Sequence, residues 1–453
     1  MHARNVAPLA LLLAATACSK TSSPTEENTS VGATGANAAT TANAIADASA
    51  VVAAKPARGP YNVLFITIDS LRADMPWAGY PRAIAPNLTA LAKRSTVYTN
   101  AYSISSFTSK SVAGMLSGRF PSELARTGVF FTRYEKSNTF MCETLEQEGI
   151  PCVAGEAHAY LAPGYAGLDQ GFYAWKLVDG ITFDYNKDPF VTSQKLTPLA
   201  IHLLEDPALT VSPDGGSHPF FAWFHYMDPH DVYQSHEESP HFGTKLRDLY
   251  DEEVFYTDLW IGKLLAFVDS QPWGKNTLIV VSADHGEAFG EHGRFKHAHE
   301  LYEELIHVPL LVHLPDQTEK DARTIDAMRS QIDLVPTFFD VMGQAPTPNL
   351  DGASLKAEWY GGPAGPSKDI VTDLPEDEFN QRRRSLTHDG WKIIAHGNDT
   401  GFELYHLADD PKELTDLMLK DKENSKRMRA LYKEASAKLV DVAPTGGIPK
   451  HDD

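Results

Sequence analysis

Three apolar stretches of the sequence are each followed at once by side chains that can bind a metal ion or transfer a proton. They are Asn62 to Ile68 followed by Asp69, Phe220 to Tyr226 followed by Asp228 and His230, and Thr277 to Ala283 followed by Asp284 and His285. Carboxylate oxygen and imidazole nitrogen are ligands for zinc, manganese and magnesium, and carboxylates also suit calcium. The pattern predicts one divalent metal ion (Ca, Mg, Mn or Zn) bound by Asp69, Asp284 and His285.

The stretches that carry these side chains have the pattern of strands in a parallel sheet. Each is a nearly continuous apolar run, which is typical of strands buried on both faces. Segments between them have helical periodicity, Glu253 to Val268 among them. Strands alternating with helices predict an α/β fold with a doubly wound, largely parallel sheet and helices on both faces. Because ligands bind outside the carboxyl ends of such strands, we expect all three groups at one edge.

The composition limits the classes of partner. The chain has 453 residues, of which 42% are hydrophobic, enough for one large α/β domain with a smaller appendage or for two or three domains. With a formal net charge of -20, no basic surface stands out that could neutralise phosphates. The charge therefore argues against nucleic acid and against electrostatic docking on anionic lipid. Any anionic substrate must be attracted by a local site, such as a bound metal ion.

The N-terminal part of the sequence predicts a targeting segment followed by a tether. A short apolar run, Val6 to Ala15, leads through small residues into Cys18, which resembles the lipobox of bacterial lipoproteins. Residues 1–18 are therefore expected to be a lipoprotein signal peptide, with an ordinary cleaved signal peptide as the alternative. Residues 19–58 are rich in Ala, Ser, Thr and Asn, which predicts a disordered tether. These features imply a cell-envelope protein, on the outer membrane or the periplasmic face, held at the membrane by a lipid anchor only.

The two cysteines beyond Cys18 are Cys142 and Cys152. In an oxidising periplasm they could form a disulfide. Two cysteines alone cannot make a thiolate zinc site, and neither lies in a constellation that suggests a nucleophile.

The order of short motifs along the chain resembles the sulfatase family of the alkaline-phosphatase-like superfamily. The motifs are Asn62 to Asp74, Ala85 to Ala92, Leu116 to Pro121, Ser282 to Glu287, Val308 to Leu310, Ile332 to Thr337, Glu403 to Leu407 and Asp409 to Pro411. The match runs from about Tyr61 to about Val440. It implies an alkaline-phosphatase-like fold, with a catalytic domain over residues 61–360 and a small C-terminal α+β subdomain over residues 361–445. It also implies a metal-dependent hydrolase of sulfuric or phosphoric esters.

A threonine occupies the position of the family's nucleophile. Sulfatases carry a cysteine there, matured to formylglycine, ahead of a proline and an arginine. Counting back from Leu116 to Arg119 places that cysteine on Thr108, the proline on Lys110 and the arginine on Val112. Formylglycine cannot be made from threonine, so the usual sulfatase nucleophile is absent.

The hydroxyl of Thr108 can nevertheless serve as a nucleophile. A hydroxyl beside a metal ion is acidified and can attack phosphorus. Thr108 is expected just ahead of a helix from Lys110 to Leu116, whose positive end would favour an oxyanion. Ser109 and Ser106 are the substitutes if the register differs by one or two residues. The alternative is a helix N-cap hydroxyl without chemistry.

Further site residues follow from the resemblance. His230 matches a position that contacts substrate or protonates the leaving oxygen, and His297 lies next to Lys296 where the family has a cation for the transferred group. The resemblance thus implies catalytic roles for His230 and His297, and substrate binding by Lys296 and Lys110. Ser70 stands where many sulfatases carry another aspartate, so one metal ligand is missing or is a weakly binding hydroxyl.

These predictions together describe a metal-dependent hydrolase of sulfate or phosphate esters. Phosphoester cleavage, of a mono- or diester, is favoured because a plain hydroxyl leaves a sulfo-enzyme without an easy breakdown, whereas the second hydroxyl of formylglycine can expel sulfate. The expected substrate is a small-molecule, glycan or lipid-headgroup ester with an anionic head. Two alternatives stay open: a phosphoryl or phosphoalkyl transferase acting on envelope glycan or lipid, and a catalytically inactive lipoprotein that binds glycans.

Overall fold

A computed structural model describes residues 59–184, 189–211 and 217–446 of the chain. The predicted signal peptide, residues 1–18, and the predicted tether, residues 19–58, lie outside these ranges and stay predictions. No helix within the described ranges combines the length and the apolar character that crossing a membrane requires.

Fifteen strands and nine α-helices occur in the described residues. The strands are β1 (Asn62–Ile68), β2 (Thr96–Tyr102), β3 (Cys152–Glu156), β4 (Ala174–Leu177), β5 (Phe221–Tyr226), β6 (Thr277–Ala283), β7 (Ala288–Phe289), β8 (Phe295–Lys296), β9 (His307–His313), β10 (Arg323–Ile325), β11 (Arg329–Ser330), β12 (Ile370–Leu374), β13 (Arg383–His388), β14 (Trp391–His396) and β15 (Gly401–His406). The helices are α1 (Pro86–Ala92), α2 (Thr108–Ser117), α3 (Met141–Gln147), α4 (Ser193–Leu204), α5 (Leu246–Ser270), α6 (Glu303–Ile306), α7 (Leu334–Val341), α8 (Lys356–Trp359) and α9 (Lys422–Ser436).

The three apolar stretches form neighbouring strands of a mixed, mainly parallel sheet. Its order is β10-β2-β9-β6-β1-β5-β3-β4, and β11 also pairs with β2. Strand β1 lies parallel to both β5 and β6, with Ile68 opposite Tyr226 and Ala283. Within the described residues, the antiparallel pairings of this sheet are those of β9 with β2 and β6. The register brings the carboxyl ends of β1, β5 and β6 level at one edge, as the sequence predicted.

Helices cover both faces of this sheet. Successive residues of a strand point to opposite faces, so Phe65 and Leu64 of β1 enter different cores. Phe65 packs in the core that contains Phe338 of α7, while Leu64 packs in the core that contains Leu264 of α5. The prediction of a doubly wound sheet is therefore confirmed, and the helix predicted over Glu253 to Val268 lies within α5.

A second, smaller sheet follows in the C-terminal part of the chain. Strands β12 to β15 form an antiparallel meander in chain order. Helix α9 covers one face of it, where Met428 and Tyr432 pack with Leu386 and Ile393. This sheet and helix form the small α+β unit that the resemblance implied.

A disulfide joins Cys142 of α3 to Cys152 at the start of β3. Both cysteines are buried in the core between the sheet and α2. The pairing that the sequence left open is present, and it ties a helix to the strand that follows it.

Candidate active site

Asp69 and Asp284 stand directly after the neighbouring strands β1 and β6, and His285 follows Asp284. All three side chains are fully buried. One ligand atom from each lies within 4.8 Å of the others. The structure thus brings together the three residues that the sequence predicted as metal ligands.

The chemistry of this cluster fits a divalent cation. His285 Nδ1 lies 2.9 Å from the carbonyl oxygen of Gly286, which can only accept, so Nδ1 carries the proton and Nε2 offers a lone pair. Nε2 lies 3.2 Å from Asp284 Oδ2 and 3.8 Å from Asp69 Oδ1. Asp284 Oδ2 has no hydrogen-bond partner among the described residues. Burial, with repulsion from Asp69, raises the pKa of Asp284 to about 8, as expected of a buried carboxylate that lacks a counter-charge.

Asp69 is oriented by a hydrogen-bonded chain that sequence reasoning missed. Trp223 Nε1 donates to Thr67 Oγ1 at 2.8 Å, and that hydroxyl lies 2.7 Å from His225 Nδ1. His225 Nε2 lies 3.2 Å from Asp69 Oδ2 and must donate, because a carboxylate only accepts. Burial alone would raise the pKa of Asp69, but the hydrogen bond from His225 and the nearby imidazoles hold it well below its usual value.

Ser70 supports the cluster from the turn after β1. Its hydroxyl donates to Asp69 Oδ1 at 2.8 Å, and its backbone N–H donates to Asp284 Oδ1 at 3.3 Å. Its φ of 58° lies in the left-handed region, which gives the sharp turn that follows the strand. The serine in place of a second aspartate therefore bridges the two carboxylates.

Thr108 is the first residue of α2, and the residue in the N-cap position is Phe107. This corrects the prediction that the helix begins after Thr108. Thr108 Oγ1 lies 3.2 Å from Asp69 Oδ2 and 3.1 Å from His285 Nε2, and no side chain caps the helix start. The threonine hydroxyl is therefore directed at the metal-type cluster and does not act as a helix cap.

Thr108 opens onto a cavity of about 200 Å³. The residues that line this pocket come from the start of α2, from the segment between α2 and α3, from the loops after β3, β4 and β5, and from β8 and the turn that follows it. They are Phe107, Thr108, Ser109, Phe130, Phe131, His158, Tyr160, Asp184, Met227, His230, Asp231, Phe295, Lys296, His297, Ala298 and His299. The predicted residues His230, His297 and Lys296 are among them.

The two predicted catalytic histidines lie side by side. The ring centroids of His230 and His297 are 5.0 Å apart, and those of His297 and His285 are 4.2 Å apart. His297 Nδ1 lies 3.3 Å from Glu287 Oε1, and Glu287 Oε2 accepts from the hydroxyl of Tyr233 at 2.9 Å. Burial, with repulsion from neighbouring imidazoles, lowers the pKa of His297 well below its usual value. Glu287, a residue outside the predicted set, thus orients His297.

The two predicted substrate-binding lysines have different surroundings. Lys296 is about half exposed, lines the pocket and pairs with Asp231 Oδ2 at 2.5 Å. Lys110 is buried, pairs with Asp377 Oδ2 at 2.7 Å and donates to the carbonyl oxygen of Phe130. Lys110 is absent from the pocket lining given by the described residues. This corrects the assignment of Lys110 to substrate binding, since its ammonium is already neutralised inside the protein.

Asp228, at the end of β5, does not join the metal-type cluster. Its carboxylate accepts hydrogen bonds from the backbone N–H and hydroxyl of Thr192 and from the backbone N–H of Ser193. These donors lie at the start of α4, so Asp228 stabilises the beginning of that helix. Asp228, which was predicted to join the other acidic side chains at this edge, therefore has a structural role. The residue of β5 that contacts the metal-type cluster is His225.

Comparison with protein families agrees with this geometry. A family model described as Sulfatase matches residues 61–344, more than half of the chain. The chain belongs to the sulfatase family. A second model, described as N-sulphoglucosamine sulphohydrolase, C-terminal, matches residues 290–441 of this sulfatase-family protein. Sulfatases typically bind a divalent metal, and Asp69, Asp284 and His285 form a cluster suited to one.

Several characterised proteins are similar in sequence. An ulvan-active sulfatase from Formosa agariphila is 27% identical over 332 residues, which cover 65% of this chain and 64% of that protein. An N-acetylglucosamine-6-O-sulfatase from Bacteroides thetaiotaomicron is 30% identical over 212 residues, covering 44% of this chain and 37% of that protein. The matched regions thus span less than two thirds of these relatives' own lengths.

Solved structures show the same fold. A 2-O GAG sulfatase superposes with a TM-score of 0.68 at 20% identity, covering 87% of this chain and 98% of the other. The phosphonate monoester hydrolase of Agrobacterium radiobacter superposes with a TM-score of 0.67 at 18% identity, covering 84% and 96%. The sulfatase-family protein therefore has the alkaline-phosphatase-like fold that its motifs implied.

Proposed function

We propose that this protein hydrolyses an anionic ester, with Thr108 as the nucleophile and with Asp69, Asp284 and His285 as ligands of one divalent metal ion. We further propose that the ester is a phosphate mono- or diester. The observation that carries the proposal is the position of Thr108 Oγ1, 3.2 Å from Asp69 Oδ2 and 3.1 Å from His285 Nε2. A hydroxyl at a helix start has no structural reason to face two metal-type ligands.

The residues around Thr108 would prepare its hydroxyl for attack. A divalent ion in such a site lowers the pKa of a neighbouring hydroxyl and offsets the negative charge of an ester. Thr108 begins α2, so the positive end of the helix dipole faces the same point and favours an anionic group. His225 keeps Asp69 in place, and Gly286 keeps the lone pair of His285 Nε2 directed at the cluster.

The proposed reaction has two displacements at phosphorus. In the first, Thr108 Oγ1 passes its proton to solvent water and bonds to phosphorus, while the bond from phosphorus to the alcohol oxygen breaks. A protonated His230, which lines the pocket beside His297, supplies a proton to the departing alcohol oxygen. In the second, a water molecule attacks phosphorus and returns a proton to His230, the bond from phosphorus to Thr108 Oγ1 breaks, and Oγ1 regains a proton from solvent. The product is inorganic phosphate from a monoester and a phosphate monoester from a diester.

The nucleophile distinguishes phosphate from sulfate. A threonine sulfate has no second hydroxyl that could expel the sulfate group, whereas a threonine phosphate can be cleared by attack at phosphorus. The similar fold of phosphonate monoester hydrolases is consistent with phosphorus chemistry in this architecture. Sulfate ester hydrolysis is the second candidate, favoured by the sequence relatives, which are named sulfatases.

Rapid-quench mass spectrometry with a substrate panel tests the proposal. Metal-loaded protein is mixed with phenyl phosphate, a phosphodiester, a phosphonate monoester and phenyl sulfate, and digests are searched for an adduct on the peptide that contains Thr108. We expect turnover of a phosphoester and a phosphoryl group on Thr108. An adduct on Ser109 or Ser106 would move the nucleophile, turnover of the sulfate ester alone would refute the phosphoester assignment, and no turnover of any ester would refute the hydrolase.

A further inference from the structure

Four phenylalanines line the pocket, and we call them the aromatic wall: Phe107, Phe130, Phe131 and Phe295. The rings of Phe107 and Phe130 stack with centroids 4.3 Å apart, and Phe131 meets Phe130 edge-on at 5.2 Å. Phe295, on the β7–β8 hairpin, is 59% exposed. Three of the rings are therefore fixed by mutual packing, and the fourth presents apolar surface to an incoming molecule.

The charges of the pocket lining do not favour a substrate with several anionic groups. Apart from histidines, the charged residues that line it in the described part of the chain are Asp184, Asp231 and Lys296. Lys296 pairs with Asp231, and Lys110 is held away by Asp377. The one ammonium group among these lining residues is therefore already neutralised. A second sulfate, phosphate or carboxylate bound here would have to compete with Asp231 for Lys296.

We infer that the alcohol part of the substrate is a single aromatic or comparably apolar group that carries no second anionic group. The inference rests on the proposed function, in which the anionic head lies at Thr108 and the alcohol extends along the aromatic wall. The volume of the pocket agrees with this inference. An apolar cavity of about 150 Å³ holds a benzene ring, and this pocket offers about 200 Å³ to the alcohol and the anionic head together. Phe295 and Asp231 are then specificity-determining residues for the proposed reaction.

Binding of phosphonates tests this inference without turnover, because the proposed reaction does not break a carbon–phosphorus bond. Full-length, metal-loaded protein is titrated calorimetrically with benzylphosphonate, methylphosphonate, 4-methylbenzylphosphonate and 4-carboxybenzylphosphonate. We expect benzylphosphonate to bind about tenfold more tightly than methylphosphonate, because it adds aromatic contact. The 4-carboxy compound should bind at least about fivefold more weakly than its 4-methyl counterpart of similar shape, because its carboxylate must compete with Asp231 for Lys296.

Two variants assign these effects to residues. Phe295→Ser should reduce the advantage of benzylphosphonate several-fold and leave methylphosphonate binding unchanged. Leu419→Ser is the control, since Leu419 is 87% exposed and is not among the residues that line the pocket in the part of the chain that the structure describes. Asp231→Asn frees Lys296 and should restore most of the affinity that the 4-carboxy group costs. Both variants change partly or well exposed side chains and are expected to fold.

The outcomes separate this inference from the proposed function. Equal binding of benzylphosphonate and methylphosphonate, or a Phe295→Ser effect no larger than that of Leu419→Ser, would overturn the inference even if phosphoesters are hydrolysed. Tighter binding of the 4-carboxy compound would overturn the part that concerns charge. If the expected binding pattern is found but no ester is hydrolysed, the aromatic subsite stands and the proposed reaction fails.

Discussion

The first turn of α2 contacts two buried groups of ionisable side chains, one on each side of the helix. Thr108 and Lys110 are two residues apart, which places their side chains roughly 200° apart around the helix. On one side Thr108 faces Asp69 and His285, and within the described residues the carboxylates of that cluster pair with no lysine or arginine. On the other side Lys110 pairs with Asp377 at 2.7 Å. The first group, Asp69, Asp284 and His285, has no lysine or arginine in the described residues that neutralises it, and we call it the open group. The second group, Lys110 and Asp377, neutralises itself, and we call it the closed group.

The difference separates a site built for a ligand from a contact built for stability. Two buried carboxylates without a cation repel each other, so the protein retains Asp69 and Asp284 at a cost that a bound cation would remove. Asp377 instead accepts from Lys110, from the backbone N–H of Phe379 and from the backbone N–H of Asn380. Substitutions in the two groups should therefore have opposite effects on stability, which the following experiments measure.

The largest effect is expected from the double variant Asp284→Asn with His285→Ala. It removes two of three metal ligands, so bound metal and ester hydrolysis should both fall to background. The single variant Asp284→Asn, without metal, should be at least as stable as metal-free wild type, because a buried carboxyl beside Asp69 is gone, whereas His285→Ala adds the cost of a cavity. Elemental analysis and thermal unfolding check this. Asp228→Asn, at the neighbouring strand end, is the control that should keep its metal. Loss of the fold in Asp284→Asn alone would contradict the view that this cluster serves a ligand.

The next largest effect is expected from Thr108→Val. Removing the hydroxyl while keeping the shape should lower turnover roughly a thousandfold or more, with metal content unchanged. Thr108→Ser keeps the oxygen and should retain part of the rate. Steady-state kinetics on the best ester of the panel measures both. Full activity of Thr108→Val would remove this residue from the mechanism.

A smaller effect is expected from His225→Ala. The variant leaves Asp69 without its orienting donor, and such changes behind a metal ligand typically lower metal affinity by about 10–100-fold. His225→Gln can still donate towards Asp69 Oδ2 and should recover part of the affinity. Competition with a metal chelator measures the dissociation constants. Equal affinity in wild type and His225→Ala would show that the hydrogen-bonded chain through Thr67 does not support the site.

Substitutions in the closed group should mainly change the free energy of unfolding. Lys110→Met leaves Asp377 buried without its counter-charge and should lower the free energy of unfolding by about 3 kcal/mol. Adding Asp377→Asn removes the orphaned charge, so the double variant should be less destabilised than the sum of the single variants. Urea unfolding of the three variants provides the cycle. Additive effects would mean that the ion pair contributes nothing specific.

Strand positions could be predicted from the sequence because buried parallel strands are apolar along their whole length. The predicted stretches Asn62 to Ile68 and Thr277 to Ala283 are β1 and β6, residue for residue. Asp69 and Asp284 follow from them, since strands that run parallel end at the same edge. The local sequence pattern therefore predicted most residues of the open group.

Other parts of the site depend on which segments become neighbours, and the sequence does not contain that information locally. His225 lies inside an apolar strand and would be an ordinary buried histidine if β5 were not next to β1. Asp228 looks like a ligand after a strand, but the start of α4 supplies three donors that use its carboxylate. Lys110 could be taken for a substrate-binding cation because Asp377 is 267 residues further along the chain.

The separation of 267 residues between Lys110 and Asp377 affects the order in which parts of the protein can fold during synthesis. A ribosome releases helix α2 long before Asp377 is synthesised, and until then burying Lys110 would leave an uncompensated charge. We therefore expect α2 to settle only after the C-terminal sheet has been synthesised, so that the chain acquires its reactive centre late, as one of the last events of folding. A chain truncated before Ile370 should accordingly fail to bind the metal ion, which calorimetric titration would reveal.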